Sequence, residues 1–297
     1  MRVFVTGATG FVGSAVVREL LDAGHSVVGL ARSEASAASL RSIGAEVQHG
    51  SLDDLESLRV GAAASDGVIH TAFIHDFSKF KDNCETDRRV VDALGSALAG
   101  SQRPLLVTSG TAVAAQGRLA VEADIVSSKS TPNPRVASEE AVALLAERGI
   151  RASIVRLPPS VHGEGDHGFI PILINIARQK GVSAFVAEGL NRWPAVHQLD
   201  AARLYRLALE KGTEATRYHS NAEEGVAFKN IAEVIGRRLN VPVVSLSKAE
   251  AHDHFGWFEH FAALDNPTSG QWTRKLLDWK PQRQGLLEDI DQASYYR

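Results

Sequence analysis

Eight residues near the start of the chain, Thr6-Gly7-Ala8-Thr9-Gly10-Phe11-Val12-Gly13, have the types and spacing to hold a diphosphate. Such an anion must come close to the free amides at the opening of a helix, where unsatisfied N–H donors and the helix dipole favour negative charge. Side chains in the turn would block that approach. Gly7 and Gly10 leave it open, and Gly13 lets the helix pack tightly on the strand before it. The spacing is Gly-x-x-Gly-x-x-Gly, shifted from the commoner Gly-x-Gly-x-x-Gly, and it points to a dinucleotide held by Gly7, Thr9, Gly10, Phe11, Val12 and Gly13.

A second anchor is expected about 20 residues on, at the end of the next strand, where a carboxylate would bind ribose hydroxyls and an Arg would accept a 2′-phosphate. The segment Val27-Val28-Gly29-Leu30-Ala31-Arg32-Ser33 has no carboxylate before Glu34. Arg32 offers a planar fork for phosphate and Ser33 a further donor, so NADP(H) is expected ahead of NAD. Ser51 and Leu52, after the third strand, are placed beside adenine. His70, Thr71 and Ala72, ending the fourth, are placed near the pyrophosphate and nicotinamide ribose.

These residues need a scaffold of alternating strands and helices, and the sequence supplies one. Strands are expected at Arg2–Thr6, Ser26–Leu30, Ala45–His49, Gly67–Thr71, Leu105–Ser109 and Ala152–Arg156, apolar on both faces as in a sheet covered by helices. Gly24, Gly44, Gly100 and Gly149 end the helical stretches between them. The fold class is therefore α/β: a Rossmann-type, doubly wound parallel sheet with a smaller, discontinuous C-terminal substrate lobe. The nucleotide domain is expected over 1–157, with 195–212 returning to it, and the lobe over 158–194 and 213–297. Beyond Pro158-Pro159, helices are expected at Phe169–Lys180, Asp200–Lys211, Phe228–Leu239, Thr268–Leu277 and Gly285–Ser294, and strands at Ala195–Leu199 and Val241–Leu246.

The chain has 297 residues, 44% hydrophobic and 23% charged, a globular balance with room for a large core. With 32 Lys and Arg against 35 Asp and Glu, it lacks the basic excess that nucleic acid or an anionic membrane requires. Cys84 is the single cysteine, which excludes an internal disulfide and fits a reducing compartment. No signal-peptide pattern or run of about 18 apolar residues is present, so a cytoplasmic protein is expected. No metal is expected: the pairs His162 with His167 and His252 with His254 lack a third ligand at metal-binding spacing. Ser109 lacks the Gly-x-Ser-x-Gly elbow of a hydrolase. Phe169, Trp193, Trp257 and Phe258 line a substrate pocket or form core, and Asn191, Arg192 or His197 could reach substrate.

Together with Val68-Ile69-His70-Thr71-Ala72, Val107-Thr108-Ser109-Gly110-Thr111-Ala112-Val113, Val155-Arg156-Leu157-Pro158-Pro159-Ser160-Val161-His162-Gly163 and Val196-His197-Gln198-Leu199-Asp200-Ala201-Ala202, the glycine loop resembles the extended branch of the short-chain dehydrogenase/reductases, with its NAD-dependent epimerase/dehydratase domain. The resemblance implies hydride exchange at a nicotinamide, a Ser or Thr holding the reacting oxygen, and a Tyr-x-x-x-Lys pair handling the proton. It also brings Pro158 into the cofactor set. Matching Ser138-Glu139 to the family's small-residue-Glu step puts Thr131 at the Tyr position and Arg135 at the Lys position. A Thr hydroxyl is far too weak an acid to replace a phenol, and all four tyrosines lie in the last third of the chain. Arg135 could still hold the ribose and polarise a carbonyl, with water or His162 delivering the proton. Gly110 stands at the family's Ser position, leaving Ser109 or Thr111 as the oxygen-binding hydroxyl unless both cap the following turn.

Helices near Glu85–Ala99 and Val136–Arg148 resemble the pair that family members use to form homodimers. The resulting expectation is an NADP(H)-dependent oxidoreductase acting on a carbonyl or alcohol of a small organic substrate. The alternatives are an epimerase or dehydratase that retains its cofactor, and an NADP-binding sensor without catalysis.

Overall fold

Short β-branched runs that are apolar on both faces can be buried only in the middle of a layered fold, and the chain places them there. The computed structural model describes residues 1–114, 117–213 and 217–297. Its large sheet is wholly parallel and contains β1 (Arg2–Thr6), β2 (Ser26–Ala31), β3 (Glu46–His49), β4 (Gly67–His70), β5 (Leu105–Gly110), β6 (Ala152–Leu157) and β10 (Arg217–His219). The strand order is β10-β6-β5-β4-β1-β2-β3, so the winding direction reverses between β1 and β4. Loops leaving those two strands part at their carboxyl ends and open the crevice in which such sheets bind ligands.

Helices α1 (Phe11–Asp22), α2 (Glu34–Ser42) and α7 (Gln198–Lys211) cover one face, around Val5, Val17, Ile69, Leu106 and Leu204. On the other face α3 (Leu55–Ala63), α4 (Phe80–Ser96) and α5 (Val136–Glu147) pack on Phe4, Val68, Val107 and Ile154. Gly24, Gly44, Gly100 and Gly149 all have φ between +72° and +85°, the left-handed stops expected from the sequence. A third apolar cluster holds the C-terminal lobe together. The lobe contains a three-stranded sheet of β7 (Ser160–His162), β9 (Arg192–His197) and β11 (Glu223–Ala227), and a pair formed by β8 (Ser183–Val186) and β12 (Val243–Leu246). Its helices are α6 (Phe169–Lys180), α8 (Phe228–Leu239), α9 (Lys248–Phe255), α10 (Glu259–Ala262), α11 (Gln271–Leu277) and α12 (Leu286–Ile290).

Several boundaries differ from the sequence expectation, each for a local reason. The strand expected over Ala195–Leu199 ends at His197, because the His197 ring accepts a hydrogen bond from the Leu199 amide at 3.2 Å and starts α7 two residues early. The helix expected from Thr268 begins at Gln271, since Thr268 is drawn into extended pairing, bridging to Ala120 and donating to the Glu224 carbonyl at 2.8 Å. From Gly285–Ser294 only Leu286–Ile290 is α-helical. Elements β7, β8, β10, β11, α9 and α10 carried no sequence signal strong enough to be read. Strand β10 lies in the stretch assigned to the lobe, yet it forms the edge of the large sheet beside β6.

A buried ion pair fastens α5 to the sheet. Arg156, fully buried on β6, donates through Nε and Nη2 to the two oxygens of Glu139 at 2.8 and 2.7 Å. Its Nη1 donates to His219 Nε2 at 3.1 Å, and the His219 Nδ1–H bonds to the Ser269 carbonyl at 2.7 Å. Burial and the Arg156 charge push His219 down to about 4, so the ring is neutral at pH 7 and can accept from the guanidinium. Replacing Arg156 with Met strips the buried Glu139 carboxylate of its two-pronged partner and leaves it the Ser109 hydroxyl at 2.9 Å and Arg217 at 3.7 Å. Urea unfolding is expected to show a loss of about 3–5 kcal/mol, most of it recovered in the Arg156→Met/Glu139→Leu double variant.

Candidate active site

The chain turns sharply between β1 and α1, where Gly7 takes φ +66° and Gly10 N–H closes the turn on the Gly7 carbonyl at 2.9 Å. Any side chain would collide here. A Cβ on Gly7 would lie 2.7 Å from the Ala72 nitrogen, and one on Gly13 would lie 2.0 Å from the Gly7 oxygen. Helix α1 opens on Gly10 without a side-chain cap, which leaves its first amides free of helical partners. From the β4 side, Thr71 donates its hydroxyl to the Thr6 carbonyl at 2.7 Å, and the Ala72 amide reaches the Thr6 hydroxyl at 3.4 Å. Thr9 and Gly10 are exposed, Phe11 and Val12 partly so, and the Phe11 ring meets His167 edge-on at 5.7 Å. This backbone-lined cradle with uncapped amides fits a dinucleotide diphosphate.

At the end of β2, Arg32 is exposed and has no hydrogen-bond or ion-pair partner among the described residues, while the nearby Glu34 is taken by Arg41 at 2.6 Å. The Ser33 hydroxyl caps α2: it accepts from the Ser36 amide at 3.2 Å and donates to the Ser36 hydroxyl at 3.1 Å. Ser51 accepts from the Asp53 amide at 3.3 Å, and Leu52 is half-buried beside the core under β2.

Below the cradle lies a buried polar chain in which Asp87, missed in the sequence, joins Arg135 to His70 and takes up the His70 ring that was expected beside the cofactor. His70 is fully buried, with Nδ1 bonded to the Thr6 hydroxyl at 2.6 Å and Nε2 to Asp87 Oδ1 at 2.9 Å. Asp87 Oδ2 accepts from Arg135 Nη1 at 2.8 Å and from the Ser138 hydroxyl at 2.5 Å. Arg135 Nη2 donates to the Thr108 carbonyl at 2.7 Å, and its guanidinium lies 4.3 Å from the Phe73 ring centroid. Burial opposes ionisation of Asp87, but Arg135, His70 and the Ser138 hydroxyl outweigh it and hold the carboxyl well below the usual range. Tyr205 approaches from the other face of the sheet and shares a 2.6 Å bond with the Thr108 hydroxyl, its phenol pushed far up by burial.

The candidate catalytic hydroxyls are mostly turned inward. Ser109 donates to Glu139 at 2.9 Å, and Thr111 donates to Asn266 Oδ1 at 2.6 Å. Thr131 is partly exposed and accepts from the Asn133 amide at 3.3 Å. Gly110 has room, since the nearest atom to a Cβ there would be 3.8 Å away. His162 is buried, with Nδ1 bonded to Asp289 on α12 at 2.8 Å, and its ring stands edge-on to His197 at 5.4 Å. That bond anchors the ring to the C-terminal segment through Nδ1. Pro158 is buried where β6 ends. Of the expected aromatics, Trp193 and Phe258 are core, Phe169 is half-buried, and Trp257 faces solvent. Asn191 and Arg192 are also committed, the first to the Ala262 and Leu264 carbonyls and the second to Asp265.

Residues 3–220 match the model of the NAD dependent epimerase/dehydratase family, and the chain belongs to that family of extended short-chain dehydrogenases/reductases, which includes oxidoreductases, epimerases and dehydratases and implies a nicotinamide cofactor. An uncharacterised protein of Schizosaccharomyces pombe is 52% identical over 297 residues, covering 100% of both chains. A 4-hydroxy-2-methyl-3-oxo-4-farnesyl-3,4-dihydroquinoline-1-oxide ketoreductase of Stigmatella aurantiaca is 28% identical, covering 86% of this chain and 80% of its own. The fold is also that of a dTDP-glucose 4,6-dehydratase from Streptomyces venezuelae, with a TM-score of 0.78 over 100% of this chain and 97% of that one, at 19% identity. Among the described residues, no helix is long and apolar enough to cross a membrane, and no group of three or more His, Cys, Asp or Glu could hold a metal ion.

Because the Asp87 carboxyl is held below its unfolded value near 4, its contribution to stability is complete above that pH and is lost as pH falls further. Asp87→Asn is therefore expected to lower the melting temperature at pH 7, with the gap to the unsubstituted protein narrowing below about pH 4. A gap independent of pH over that window would show that the carboxylate charge contributes nothing.

Proposed function

We propose that the chain is an NADP(H)-dependent oxidoreductase, transferring hydride to or from a carbonyl or alcohol carbon of a small organic substrate. The observation that carries this reading is the glycine cradle, open to a diphosphate and set at the same edge of the sheet as Arg135 and the unpaired Arg32. When bound, the nicotinamide would supply or accept the hydride. Arg32 would hold the 2′-phosphate, Leu52 would wall the adenine beside Ser51, and Thr71 and Ala72 would flank the pyrophosphate. Ser33, occupied as a helix cap, supports Arg32 through the chain rather than as a free donor.

Arg135 would act as a fixed positive charge, oriented by Asp87 and the Thr108 carbonyl, favouring negative charge on the reacting oxygen. With Thr131 and Arg135 in place of the Tyr and Lys, and with the His162 ring buried beside Asp289, water is the proton carrier in this account. The inward bonds of Ser109 and Thr111 favour a second reading, a nucleotide-binding protein without turnover. The two part in one experiment. Mixing the protein with NADPH and carbonyl compounds should consume nicotinamide absorbance under the first reading, whereas the second gives binding alone. A retained-cofactor epimerase or dehydratase would instead convert its substrate with no net consumption.

The proposal places the protein in the cytoplasm as a homodimer through α4 and α5. The outer side of that pair carries exposed Ala143 and Leu144 among the Arg88–Glu140 and Arg148–Asp92 ion pairs.

Arg32→Glu tests the cofactor assignment. Loss of a charge-assisted phosphate contact of about 1.5–3 kcal/mol should raise the KM for NADPH roughly 10- to 100-fold and leave that for NADH within about threefold. Equal losses for the two cofactors would remove the case for a 2′-phosphate site.

A further inference from the structure

An aromatic rim stands over the crevice, built from three separated stretches of chain. The loop after β4 and the start of α4 supply Phe73, Phe77 and Phe80, the first turn of α6 supplies Phe169, and the segment around α10 supplies Trp257 and Phe261. Phe77 is its hub. It stacks on Trp257 with centroids 5.1 Å apart and planes at 24°, and meets Phe80 at 5.5 Å, Phe261 at 5.6 Å and Phe169 at 6.3 Å. Phe73 joins Phe80 at 6.1 Å and lies against the Arg135 guanidinium. The rim therefore runs from solvent to the cation that the proposed mechanism uses.

This is not ordinary core. Trp257 is 57% exposed, Phe73, Phe77 and Phe80 are only partly buried, and the lobe's own core of Trp193, Phe228 and Phe258 lies beneath them. Six of the chain's 19 Phe, Trp and Tyr residues are gathered at this edge; Phe169 and Phe261 pack on the lobe core, while Phe73, Phe77, Phe80 and Trp257 lie outside it. Large apolar rings left in water are costly, and a contiguous patch of them marks a binding surface. The five Phe rings give dispersion and quadrupole contacts to a flat partner but no hydrogen bonds, and only the Trp257 N–H and the neighbouring His75 ring add polar groups. Such a rim suits a conjugated plane and leaves most hydroxyls of a sugar unsatisfied.

We infer that this rim receives the flat, conjugated part of the substrate, and that the substrate class is an aromatic or conjugated ketone rather than a nucleotide sugar. The inference rests on the oxidoreductase reading and names the substrate of that same site. In the reduction, the carbonyl carbon gains a hydride from NADPH, which becomes NADP+. The C=O π pair moves to oxygen, and water supplies the proton that makes the alcohol, leaving hydroxide to the bulk solvent. Phe77 covers one side of the Trp257 indole, and the open remainder is where the conjugated plane docks.

The test uses the full chain saturated with NADP+, titrated calorimetrically with 2-acetonaphthone, cyclohexanone and UDP-glucose, alongside an NADPH titration of the free protein. The expected result is binding of 2-acetonaphthone at least tenfold tighter than cyclohexanone, with no binding of UDP-glucose. Trp257→Ala should weaken 2-acetonaphthone binding about 5- to 20-fold, Phe77→Leu should weaken it by less, and the two should leave the NADPH dissociation constant unchanged. Undiminished binding of 2-acetonaphthone by the two variants, or tighter binding of UDP-glucose, would overturn the inference while leaving the cofactor reading intact. Failure of NADPH itself to bind would overturn the reading beneath it.

Discussion

Everything at the carboxyl edge of the sheet follows from one close approach of backbone to backbone. Helix α1 can start where it does only because Gly13 has no side chain to meet the Gly7 carbonyl, 2.0 Å from where a Cβ would stand. Gly7 in turn fits between β1 and the chain leaving β4 only as a glycine with positive φ. The same contact fixes three things: the angle of α1 on the sheet, the distance between the β1 and β4 loops, and the exposure of the first amides of the helix. A binding turn and a packing constraint are thus one feature of the chain.

Around this turn the protein places its buried charge in pairs. Asp87 is matched by Arg135, and Glu139 by Arg156, each carboxylate completed by a serine hydroxyl. Such pairs add little net stability compared with apolar packing, but they are costly to break and they fix orientation. Here they orient α4 and α5 against β5 and β6, and they aim Arg135 beneath the crevice. The arrangement also uses up hydroxyls. Ser109 lies at the strand end expected to hold a reacting oxygen and instead serves Glu139, which is why the proposed mechanism relies on positive charge rather than a hydroxyl relay.

Local patterns made the nucleotide half legible. Strands from Arg2–Thr6 to Ala152–Leu157 show mostly apolar runs, the edge strand β3 (Glu46-Val47-Gln48-His49, exposed at both ends) excepted, and Gly24, Gly44, Gly100 and Gly149 end the helices with positive φ. What escaped depended on tertiary contact. The three residues of β10 have no periodicity and become a strand only by docking on β6. His162 reads as a loop histidine, and only the fold shows it buried with its Nδ1 bonded to Asp289, 127 positions later. Asp87 did leave a trace, since it shares the inward helical face with Asn83, Val90, Val91 and Leu94. A carboxylate on an apolar face demands a partner, and Arg135 could have been sought on that ground. The aromatic rim was half visible: Phe169 and Trp257 stood out, whereas Phe73, Phe77 and Phe80 are brought to them only by the loop after β4.

The account stands on a dinucleotide lying across the start of α1, and a crystal structure of the protein grown with NADPH measures that directly. It should show the diphosphate within hydrogen-bonding distance of the amides of Phe11 and Val12, with the 2′-phosphate beside Arg32. Clear density for the cofactor elsewhere, or none at saturating concentration with the turn from Gly7 to Gly13 unobstructed in the lattice, would contradict it.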